Sequence, residues 1–559
     1  MKKMDILLCK ILVIIQIFAL SFLIFFYSFT FYSFFQSADA QKAQRPQIEI
    51  TYPDVGQNVP SGILTIYGIS SDTGQTLCQV SVLLNDQRPY QNATATGPLG
   101  KDDYSKWSFT FDPYYTLIRN GSNQLVSKIV CYYDDSTNAT AWNKTYLIGV
   151  GEAKVDSLNE SRPATPTTPS GVIIHDPNLK VETVAQGLIY PTTMDFLGPD
   201  DILVLEKNNG IVKRITNGTV LSDPVLDVNV ANKFERGMLG IAVADQEWIN
   251  GSTYVFLYYT ETDIEGSDIC PKPNKCDPPN NPLGNRLYRY EFVNNKLINP
   301  VLLMDLPASP IPAHNGGKIL IGPDKNVYFT IGDLYHRTNT QNFPNNLDSN
   351  GTSAIYRINQ NGDAVEVILS KENPLNKYYA YGIRNSFGID FDPVTGRLWD
   401  TENGPASNDE LNLVEPGFNS GWRDLMGMAL PGFNFSNLVS FGGKGKYSDP
   451  EFVWTQVIAP TAIKFLNSDK LGKQYQNHIF VGDYHQGNIY HFTLNQNRTA
   501  LVLDGPLVDK IANLQVELDS VKFGEGFGAV TDLQVGPYDG YLYIVSYGHG
   551  KIYRIVPSS

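Results

Sequence analysis

Residues 314–333 read HNGGKILIGPDKNVYFTIGD, with two short apolar runs on either side of the turn sequence GPDK. Such a pattern is typical of the two strands of a β-hairpin. Cross-strand partners in an antiparallel hairpin keep a constant sum of residue numbers. A turn centred between Pro323 and Asp324 therefore predicts that His314 and Asp333 are partners at the open end of the hairpin.

The same pattern recurs along the chain. Stretches of this form also begin at Pro191, Glu235, Arg384, Ala459 and Ala529. Most copies are followed by a second half-hairpin, seen as GIVKRI, NRLYRY, SAIYRI, GNIYHF and GKIYRI. An internal repeat of this kind indicates a repeat architecture. Six units of four short strands over roughly 390 residues predict an all-β fold, a six-bladed β-propeller.

Equivalent ends of the repeats should meet at one mouth of the central channel. The hairpin around DPVTG, centred at Val394, sets Arg384 opposite Gly404 and Asn385 opposite Asn403. We therefore expect the mouth to hold the following residues: Glu235, Arg236, His314, Asp333, Arg384, Asn385 and the ENGP segment 402–405.

The 559 residues divide into four expected regions. Residues 1–40 are a signal-anchor or signal peptide, because Ile11 to Phe35 carry no charge and about 20 apolar residues span a bilayer. An uncleaved anchor is favoured over cleavage after Ala40. Residues 46–150 alternate as a small immunoglobulin-like β-sandwich. The Pro/Thr-rich residues 151–170 form a linker, and residues 171–559 form the propeller.

The cysteines and the charge agree with an exported protein. Cys78 with Cys131, and Cys270 with Cys276, each fall within one predicted domain, as disulfides in an oxidising compartment would. Glycosylation sequons begin at Asn92, Asn138, Asn217 and Asn350. Because the net charge is −14 at pH 7 without a basic cluster, a nucleic-acid partner is excluded. We expect a cell-surface protein that takes a small-molecule ligand.

The predicted mouth carries groups suited to proton transfer and to anion binding. His314 beside Asp333 is an arrangement for a general base, or else His314 caps the strand end by hydrogen bonding. Arg384 suits an anionic or carbonyl oxygen, or else forms an ion pair with Glu402 or Asp409. The run ENGPASNDELNL offers the oxygen ligands that Ca²⁺ takes, or else is a solvated turn.

Five segments resemble one known family. They are ERGMLGIAV, HNGGKILIGPDKNVYFTIGD, YAYGIRNSFGIDFDPVTGRLWDTENGP, NDELNLVEPGFNSGW and WTQVIAP. Together they resemble the soluble glucose/sorbosone dehydrogenases, aldose sugar dehydrogenases that use pyrroloquinoline quinone (PQQ). The resemblance covers residues from about 180 to 556.

The resemblance implies roles at the reacting end of the site. His314 would take the proton of the sugar C1 hydroxyl while hydride passes to the quinone, with Asp333 orienting the imidazole. Arg384 and Asn385 would polarise the quinone oxygens.

It also implies cofactor and calcium sites. The carbonyls of Gly404 and Pro405 would hold a Ca²⁺ that also binds the cofactor, and Glu410 with the Ser420 carbonyl matches a second, structural Ca²⁺. Positions that match the surroundings of the cofactor are Glu235, Pro460 and Thr461.

The chain departs from the family where cations usually meet the cofactor carboxylates. The family has a Lys and two Arg in positions that here carry His485 or Gln486, Ala529 and Thr531. Two alternatives to a dehydrogenase stay open. One is a non-catalytic cell-surface propeller that binds glycans or a protein. The other is a calcium-dependent lactonase, which would need carboxylates converging on the channel.

Overall fold

The computed structural model describes residues 46–72, 77–85, 90–99, 103–111, 117–132, 138–151, 171–244, 253–263, 282–335, 342, 350–405 and 407–558. The chain divides into two compact units, Met1–Ser157 and Leu158–Ser559. The expected membrane segment, the linker from residue 152 onward and the pair Cys270 and Cys276 lie outside the described residues. Among the described residues, no helix is long and apolar enough to cross a membrane.

The described strands of the first unit form two sheets around one core. The strands are β1 (Ile48–Tyr52), β2 (Asn58–Pro60), β3 (Leu64–Ser70), β4 (Leu77–Leu84), β5 (Gln91–Asn92), β6 (Thr94–Ala95), β7 (Lys106–Phe111), β8 (Gly121–Tyr132) and β9 (Asn138–Val150). The sheet orders are β1-β3-β7-β6 and β2-β9-β8-β4-β5. Ile66 and Trp107 of the first sheet share a hydrophobic cluster with Val82 and Ile129 of the second, so alternate residues of the strands face one another across the core.

A disulfide joins two strands of the second of these sheets. Cys78 on β4 and Cys131 on β8 are directly opposite in the antiparallel register and are bonded to each other. The predicted pairing is therefore confirmed. A bridge of this kind stabilises a small domain mainly by restricting its unfolded chain.

The second unit is built almost wholly from strands. Its strands are β10 (Ile173–Ile174), β11 (Leu179–Gln186), β12 (Pro191–Gly198), β13 (Asp201–Glu206), β14 (Ile211–Thr216), β15 (Thr219–Val220), β16 (Leu226–Asp227), β17 (Met238–Val243), β18 (Thr253–Glu261), β19 (Gly284–Val293), β20 (Lys296–Leu306), β21 (Ile319–Ile321), β22 (Val327–Ile331), β23 (Ala354–Ile358), β24 (Tyr378–Tyr381), β25 (Ser386–Phe391), β26 (Leu398–Glu402), β27 (Asp409–Val414), β28 (Phe418–Asn419), β29 (Lys446–Tyr447), β30 (Phe452–Trp454), β31 (Pro460–Phe465), β32 (Ile479–Asp483), β33 (Ile489–Leu494), β34 (Leu501–Val502), β35 (Ile511–Ala512), β36 (Lys522–Glu525), β37 (Val530–Val535), β38 (Leu542–Ser546) and β39 (Lys551–Pro557). Short 3₁₀ helices occupy Leu375–Lys377, Phe435–Asn437, Lys473–Tyr475, Gly505–Leu507 and Gln515–Ser520.

The described strands of this unit form six sheets. In chain order of their inner strands they are sheet 1 (β12-β13-β14-β15, with β16 on β14), sheet 2 (β17-β18-β19-β20), sheet 3 (β21-β22-β23-β24-β28-β29), sheet 4 (β25-β26-β27-β30-β35), sheet 5 (β31-β32-β33-β36-β10, with β34 on β33) and sheet 6 (β37-β38-β39-β11). Sheet 6 combines three C-terminal strands with β11, which comes from before sheet 1. The two ends of the repeat region are thereby joined by backbone hydrogen bonds.

The six sheets are arranged in a closed ring. Their inner strands β12, β17, β21, β25, β31 and β37 contact one another in this order, and β37 contacts β12. Each pair of neighbouring sheets encloses its own hydrophobic cluster, six in all. Burial of apolar surface between sheets therefore holds the ring together.

The predicted hairpin register is wrong by one residue, although the predicted side-chain contact forms. Ile321 pairs with Val327, which centres the turn on Asp324. The backbone leaves the regular ladder at Gly316 and Gly317, both with positive φ, where Gly317 N donates to the Thr330 carbonyl. Glycine adopts this conformation at little cost. The irregular segment restores the offset, so that His314 still meets Asp333.

Candidate active site

One end of the ring gathers most of the residues predicted at the mouth. His314 lies just before β21 and Asp333 just after β22, while Arg384 and Asn385 precede β25. Asn385 and Asn403 are opposite, as predicted, since Asn403 N donates to the Asn385 carbonyl at 2.9 Å. We call the surface formed by Glu235, His314, Asp333, Arg384, Asn385 and Asn403 the polar side of the mouth.

His314 is held between an acid and a guanidinium. Its Nδ1 lies 2.5 Å from Asp333 Oδ1, and its Nε2 lies 3.0 Å from Arg384 Nη2. Because arginine can only donate, Nε2 must accept and the ring proton must sit on Nδ1, facing the carboxylate. The arrangement therefore selects the tautomer with its proton on Nδ1, in which Nε2 is the acceptor that a general base needs.

The acid that orients His314 is itself fixed. Asp333 is 1% exposed; its Oδ2 accepts from Trp422 Nε1 at 2.8 Å and its Oδ1 from Tyr335 N at 2.8 Å. Asp333 N donates to the Arg384 carbonyl, which ties sheet 3 to sheet 4. Each carboxylate oxygen thus has a partner besides the imidazole, so the side chain has little freedom to rotate away from His314.

Glu235 connects sheet 2 to the same cluster. Its Oε2 accepts from His314 N at 2.5 Å and from Asn385 Nδ2 at 3.2 Å. The neighbouring Arg236, also predicted at the mouth, is fully buried and donates from Nη2 to the Ser309 carbonyl. This contact fixes the Arg236 guanidinium, and its predicted place at the mouth stays a prediction.

Within the part of the chain that the structure describes, the Arg384 guanidinium forms no direct ion pair. Nη1 donates to the Asn403 carbonyl at 2.6 Å, whereas Glu402 Oε1 accepts from the backbone N of Arg384. Burial lowers the pKa of Arg384, and the charges of Asp333, Glu235, Asp409 and Glu402 act in the opposite direction. A cation in this setting is available to an oxygen that enters the mouth.

Four buried polar atoms at the polar side have no hydrogen-bond partner within the described residues. They are Asn315 Nδ2, Arg384 Nε, Asn385 Oδ1 and Asn403 Oδ1, and each residue is less than 9% exposed. Most buried polar groups in folded proteins are paired, and those that are not call for an explanation such as a bound ligand. Two donors and two acceptors converge here, which suits a ligand rich in oxygens.

The predicted calcium segment is a tight turn organised by Asp409. Oδ1 of Asp409 accepts from Gly404 N at 2.7 Å, and Oδ2 accepts from Ile458 N and Ala459 N at 2.7 and 2.8 Å. A Cβ on Gly404 would lie 2.0 Å from the Ser407 carbonyl oxygen, so only glycine fits. Burial raises the pKa of Asp409 to about 6. Asp409 thus pins the Gly404–Pro405 segment to the start of sheet 5.

Three buried carboxylates lie beside Ser420. Ser420 Oγ donates to Glu402 Oε2 at 2.5 Å, and Glu410 accepts from Gly427 N. Burial raises the pKa of Glu410 to about 8 and that of Asp400 to about 7, and burial with repulsion from the other two raises that of Glu402. Within the residues described, no group of three or more His, Cys, Asp or Glu has the arrangement of a metal site.

The predicted cofactor positions of sheet 5 serve mainly to join sheets. Pro460 begins β31 opposite Asp483, and Thr461 Oγ1 donates to the Val530 carbonyl of sheet 6 at 2.5 Å. Thr531 Oγ1 in turn donates to the Pro191 carbonyl of sheet 1 at 3.1 Å. Their hydroxyl protons are therefore used between sheets.

The other side of the mouth carries tyrosines. Tyr190 precedes β12, Tyr484 follows β32 and Tyr547 follows β38. The ring centroids of Tyr190 and Tyr547 are 5.1 Å apart, and those of Tyr484 and Tyr547 are 5.6 Å apart. We call these three residues the aromatic face. The sequence signal that could have found it is a tyrosine at the equivalent end of three repeats.

A separate cavity of about 390 Å³ lies toward the turn ends of the inner strands. Two carboxylates line it, Asp195 and Asp390, and Asp390 pairs with Lys464 at 3.0 Å. Lys318, also in the lining, pairs with Asp532. Asp195 accepts from Val243 N at 2.7 Å. These acids are thus neutralised or bound to backbone, and are not a converging set of free carboxylates as the lactonase alternative requires.

Comparisons with known proteins agree with this fold. A family model described as glucose/sorbosone dehydrogenase matches residues 188–554. The aldose sugar dehydrogenase YliI of Escherichia coli is 22% identical over 68% of this chain and 93% of that protein. Quinoprotein glucose dehydrogenase B of Acinetobacter calcoaceticus is 31% identical over 41% of this chain and 49% of that protein.

The solved structures show the same fold. The PQQ-bound aldose sugar dehydrogenase of Streptomyces coelicolor superposes with a TM-score of 0.50 and 21% identity, covering 70% of this chain and 99% of that one. The ring of sheets is the β-propeller of the quinone-dependent sugar dehydrogenases. The chain belongs to the glucose/sorbosone dehydrogenase family.

Proposed function

We propose that this protein oxidises an aldose at C1 to its lactone, with a bound quinone as the acceptor and His314 as the general base. The observation that carries the proposal is the hydrogen-bonded series Asp333–His314–Arg384, which fixes the imidazole proton on Nδ1 and leaves Nε2 as an acceptor. Sugar oxidation is also what the names of the two curated relatives state of those proteins.

In this reaction the sugar loses one proton to the protein and one hydride, with its two electrons, to the acceptor. Nε2 of His314 takes the proton of the C1 hydroxyl, so that the C1–O bond becomes a carbonyl. The C1–H bond breaks with its electron pair, which leaves as hydride, and a bound quinone supplies the acceptor for it. Asp333 stabilises the imidazolium that forms, since it already accepts from Nδ1.

For this step to occur, Arg384 must move away from His314 Nε2 or share this acceptor with the substrate hydroxyl. Its Nη2 occupies the hydrogen-bonding direction of His314 Nε2, and the substrate hydroxyl needs the same direction. We infer that Nη2 turns from the imidazole to an oxygen of the acceptor when the mouth fills, while Nη1 stays on the Asn403 carbonyl. The guanidinium would then stabilise negative charge that develops on the acceptor.

The residues fit a quinone at its reacting end only. There the unpartnered atoms of Arg384, Asn385 and Asn403 offer donors and acceptors to oxygens. The three carboxylates of PQQ would instead meet His485, Gln486, Ala529 and Thr531. His485 Nδ1 donates to the Val457 carbonyl, and Gln486 Nε2 to Gln515. The family and the polar side support PQQ as the quinone, whereas its carboxylates would meet no lysine or arginine at these four positions.

Calcium is proposed at two places. The tight turn that only a glycine fits at residue 404 brings the carbonyl oxygens of Ser407 and Asn408 toward it, and backbone oxygens of the Gly404–Pro405 segment are donors that Ca²⁺ takes. The buried Asp400, Glu402 and Glu410 would be stabilised by a cation, because their mutual repulsion is otherwise uncompensated.

Other parts of the proposal concern the whole chain. The six sheets would be the six blades of the propeller, and the first unit an immunoglobulin-like spacer. The disulfide between Cys78 and Cys131 supports an exported, cell-surface location. Residues 1–40 would anchor the protein in the membrane, and its electron acceptor beyond the quinone would be an exterior partner.

A non-catalytic, glycan- or protein-binding propeller is the second candidate. The replacement of the family's cations by His485, Gln486, Ala529 and Thr531 favours it. In that case the polar side would bind a ligand without oxidising it.

The experiment that tests the proposed function is aldose-dependent reduction of a quinone-coupled dye by the purified full chain with added PQQ and Ca²⁺, with lactone identified as the product. His314→Ala should lower the rate by about 10²–10⁴-fold. The exposed His175 supplies the control, and His175→Ala should retain the activity. Binding of sugar without turnover under all these conditions would favour the second candidate.

A further inference from the structure

The aromatic face and the polar side share one end of the ring. Tyr484 N donates to the Ala459 carbonyl and Tyr547 N to the Ala529 carbonyl, at the starts of the inner strands β31 and β37. Burial raises the pKa of Tyr484, and the charges of Tyr190 and Glu235 raise it further, which places Tyr484 within electrostatic reach of Glu235. Glu235 in turn accepts from His314 N. Because the three tyrosines adjoin sheets 1, 5 and 6 and the polar side adjoins sheets 2, 3 and 4, the aromatic face lies opposite the reacting residues in the ring.

The three tyrosines are held in place and partly exposed. Each is between fully buried and exposed. Tyr190 has a φ of 51°, a conformation that bulky residues rarely adopt. A glycine at residue 190 would remove this strain at the cost of the ring. A ligand-binding role for the Tyr190 ring, which packs beside Tyr547, would account for this conformation.

The charges around the aromatic face disfavour an anionic ligand. Lys207 lies on this side, with its N bonded to the Tyr190 carbonyl, but its Nζ donates to Asn208 Oδ1 and the Asn232 carbonyl. Burial lowers the pKa of Lys207 to about 7, with the Glu235 charge opposing this. Glu235 and the tyrosine hydroxyls add no positive charge. A ligand with several carboxylates would lose its hydration here and would find Lys207 as its one cationic partner among these residues.

The aromatic face suits a flat and uncharged ring. Phenol rings offer stacking surface, and their hydroxyls offer hydrogen bonds to carbonyl oxygens. We propose that the aromatic face is the binding surface for the ring system of an uncharged planar quinone, so that this mouth selects a neutral quinone over a tricarboxylate. As an assignment of the acceptor, this inference rests on the proposed function.

The test compares PQQ with its trimethyl ester, which has the same ring system without the three charges. Binding of each to the full chain is measured by equilibrium dialysis in Ca²⁺-containing buffer, without sugar. The ester should bind at least about tenfold more tightly than PQQ, because its carboxyl groups need no cation. Tighter binding of PQQ would overturn the inference.

Variants assign the binding to the aromatic face. Tyr547→Ala should weaken binding of the ester by about tenfold, and Tyr547→Phe should keep most of it because the ring remains. Tyr538 is 64% exposed and lies outside the aromatic face, so Tyr538→Ala is the matched control with unchanged affinity. If Tyr547→Ala does not fold, Tyr484→Ala replaces it. Equal loss in the Tyr538 variant, or no loss in either face variant, would contradict the assignment.

A variant that adds a positive charge tests the charge argument without removing any ring of the aromatic face. Thr531→Arg puts a guanidinium where the family has one, and should shift the preference toward PQQ by about tenfold. No shift in a folded Thr531→Arg protein would count against the inference. Ester binding without turnover of any aldose would sink the proposed function alone, and efficient turnover with tightly bound PQQ would sink this inference alone.

Discussion

The polar side and the aromatic face are built from the same repeat, yet one carries charged and amide side chains and the other carries tyrosine rings. The segments TIGD, ending at Asp333, and FVGD, ending at Asp483, close the second strand of sheets 3 and 5. Asp333 meets a histidine at the start of the neighbouring inner strand, whereas Asp483 faces Pro460 in its ladder. The fold supplies equivalent positions, and the residue opposite each aspartate decides whether its carboxylate orients a base or holds a turn.

Asp483 shows the second outcome. Its Oδ1 accepts from Gln486 N at 2.6 Å and Gly487 N at 2.8 Å, and its Oδ2 from the Tyr490 hydroxyl at 3.1 Å. Burial raises the pKa of Asp483 to about 7, despite these hydrogen bonds. It closes the turn that follows Tyr484, so that a carboxylate used for catalysis on one side supports the aromatic ring on the other.

The largest effect is expected for Asp333→Asn. An amide in place of the carboxylate would donate to Nδ1, move the imidazole proton to Nε2 and remove the lone pair that accepts the substrate proton. Sugar oxidation should fall by about 10³–10⁴-fold, as for the acid of other acid–histidine pairs. The protein should stay folded but become less stable, because the amide NH₂ faces at least one of the donors from which Asp333 accepts. The rate is measured under saturating aldose and quinone.

The control for this variant is the equivalent aspartate. Asp483→Asn should leave the rate at saturating quinone within about threefold of the unaltered protein, since Asp483 contacts no residue of the polar side. If both substitutions lower the rate equally, the contrast between the two sides is wrong.

A smaller loss is expected for Arg384→Lys. Lysine keeps the charge but cannot donate at once to the Asn403 carbonyl and to the imidazole, as the two guanidinium nitrogens do. The rate should fall by about 10²-fold, with the loss in turnover larger than the change in Michaelis constant, since the cation acts on charge that develops during the reaction. A variant with unchanged turnover would remove Arg384 from the reaction. Arg498, which pairs with Asp392 away from the mouth, is the control for an Arg→Lys change.

The sequence contained enough to predict the polar side. The period of the repeat and the turn residues locate the ends of the inner strands, and these bring His314 to Asp333 and Asn385 to Asn403. The register of the hairpin was predicted one residue wrong because the turn is centred on Asp324, with Lys325 at positive φ, and not between Pro323 and Asp324. The left-handed backbone at Gly316 and Gly317 compensates for this shift, so that His314 still meets Asp333. Alternation alone does not reveal such a bulge.

Contacts between distant segments could not be predicted in this way. Trp422 reaches Asp333 from a connection 89 residues further along, and Asp409 joins Gly404 to Ala459 across two sheets. Arg236 was predicted at the mouth because it adjoins Glu235, and the sequence does not reveal that its buried guanidinium donates to the Ser309 carbonyl. The tyrosines of the aromatic face are visible in the sequence, and their mutual contact depends on closure of the ring.

Calcium should sharpen the comparison, because the proposed calcium site with Glu402 and Glu410 lies on the polar side. If Ca²⁺ binds near Glu402 and Glu410, a concentration of 100 times its Kd stabilises the fold by about 2.7 kcal/mol. The melting temperature should then rise by a few degrees and fall again with a chelator. Glu410→Gln should remove most of this gain, whereas Glu451→Gln, whose carboxylate pairs with Lys510 on the outer strands, should retain it. Equal gains in both variants would contradict the site.

The smallest effect concerns the pH dependence of stability on the aromatic side. Burial raises the pKa of Asp483 to about 7 from its usual 3.8, so the folded protein holds a proton that the unfolded chain has already released between these values. The stability contributed by this group is therefore fully present below about pH 4 and is lost as the pH rises toward 7, with a slope of roughly 1 kcal/mol per pH unit between about pH 5 and 6.

Other buried acids titrate in the same range, so the informative quantity is the difference between variants in denaturant-unfolding free energy across this window. Asp483→Asn cannot titrate and should flatten the slope, whereas the exposed Asp469→Asn in the same sheet-5 repeat should not. Identical slopes for both variants would show that the aspartate below Tyr484 is ionised in the folded protein, and the two equivalent aspartates would then differ in their partners alone.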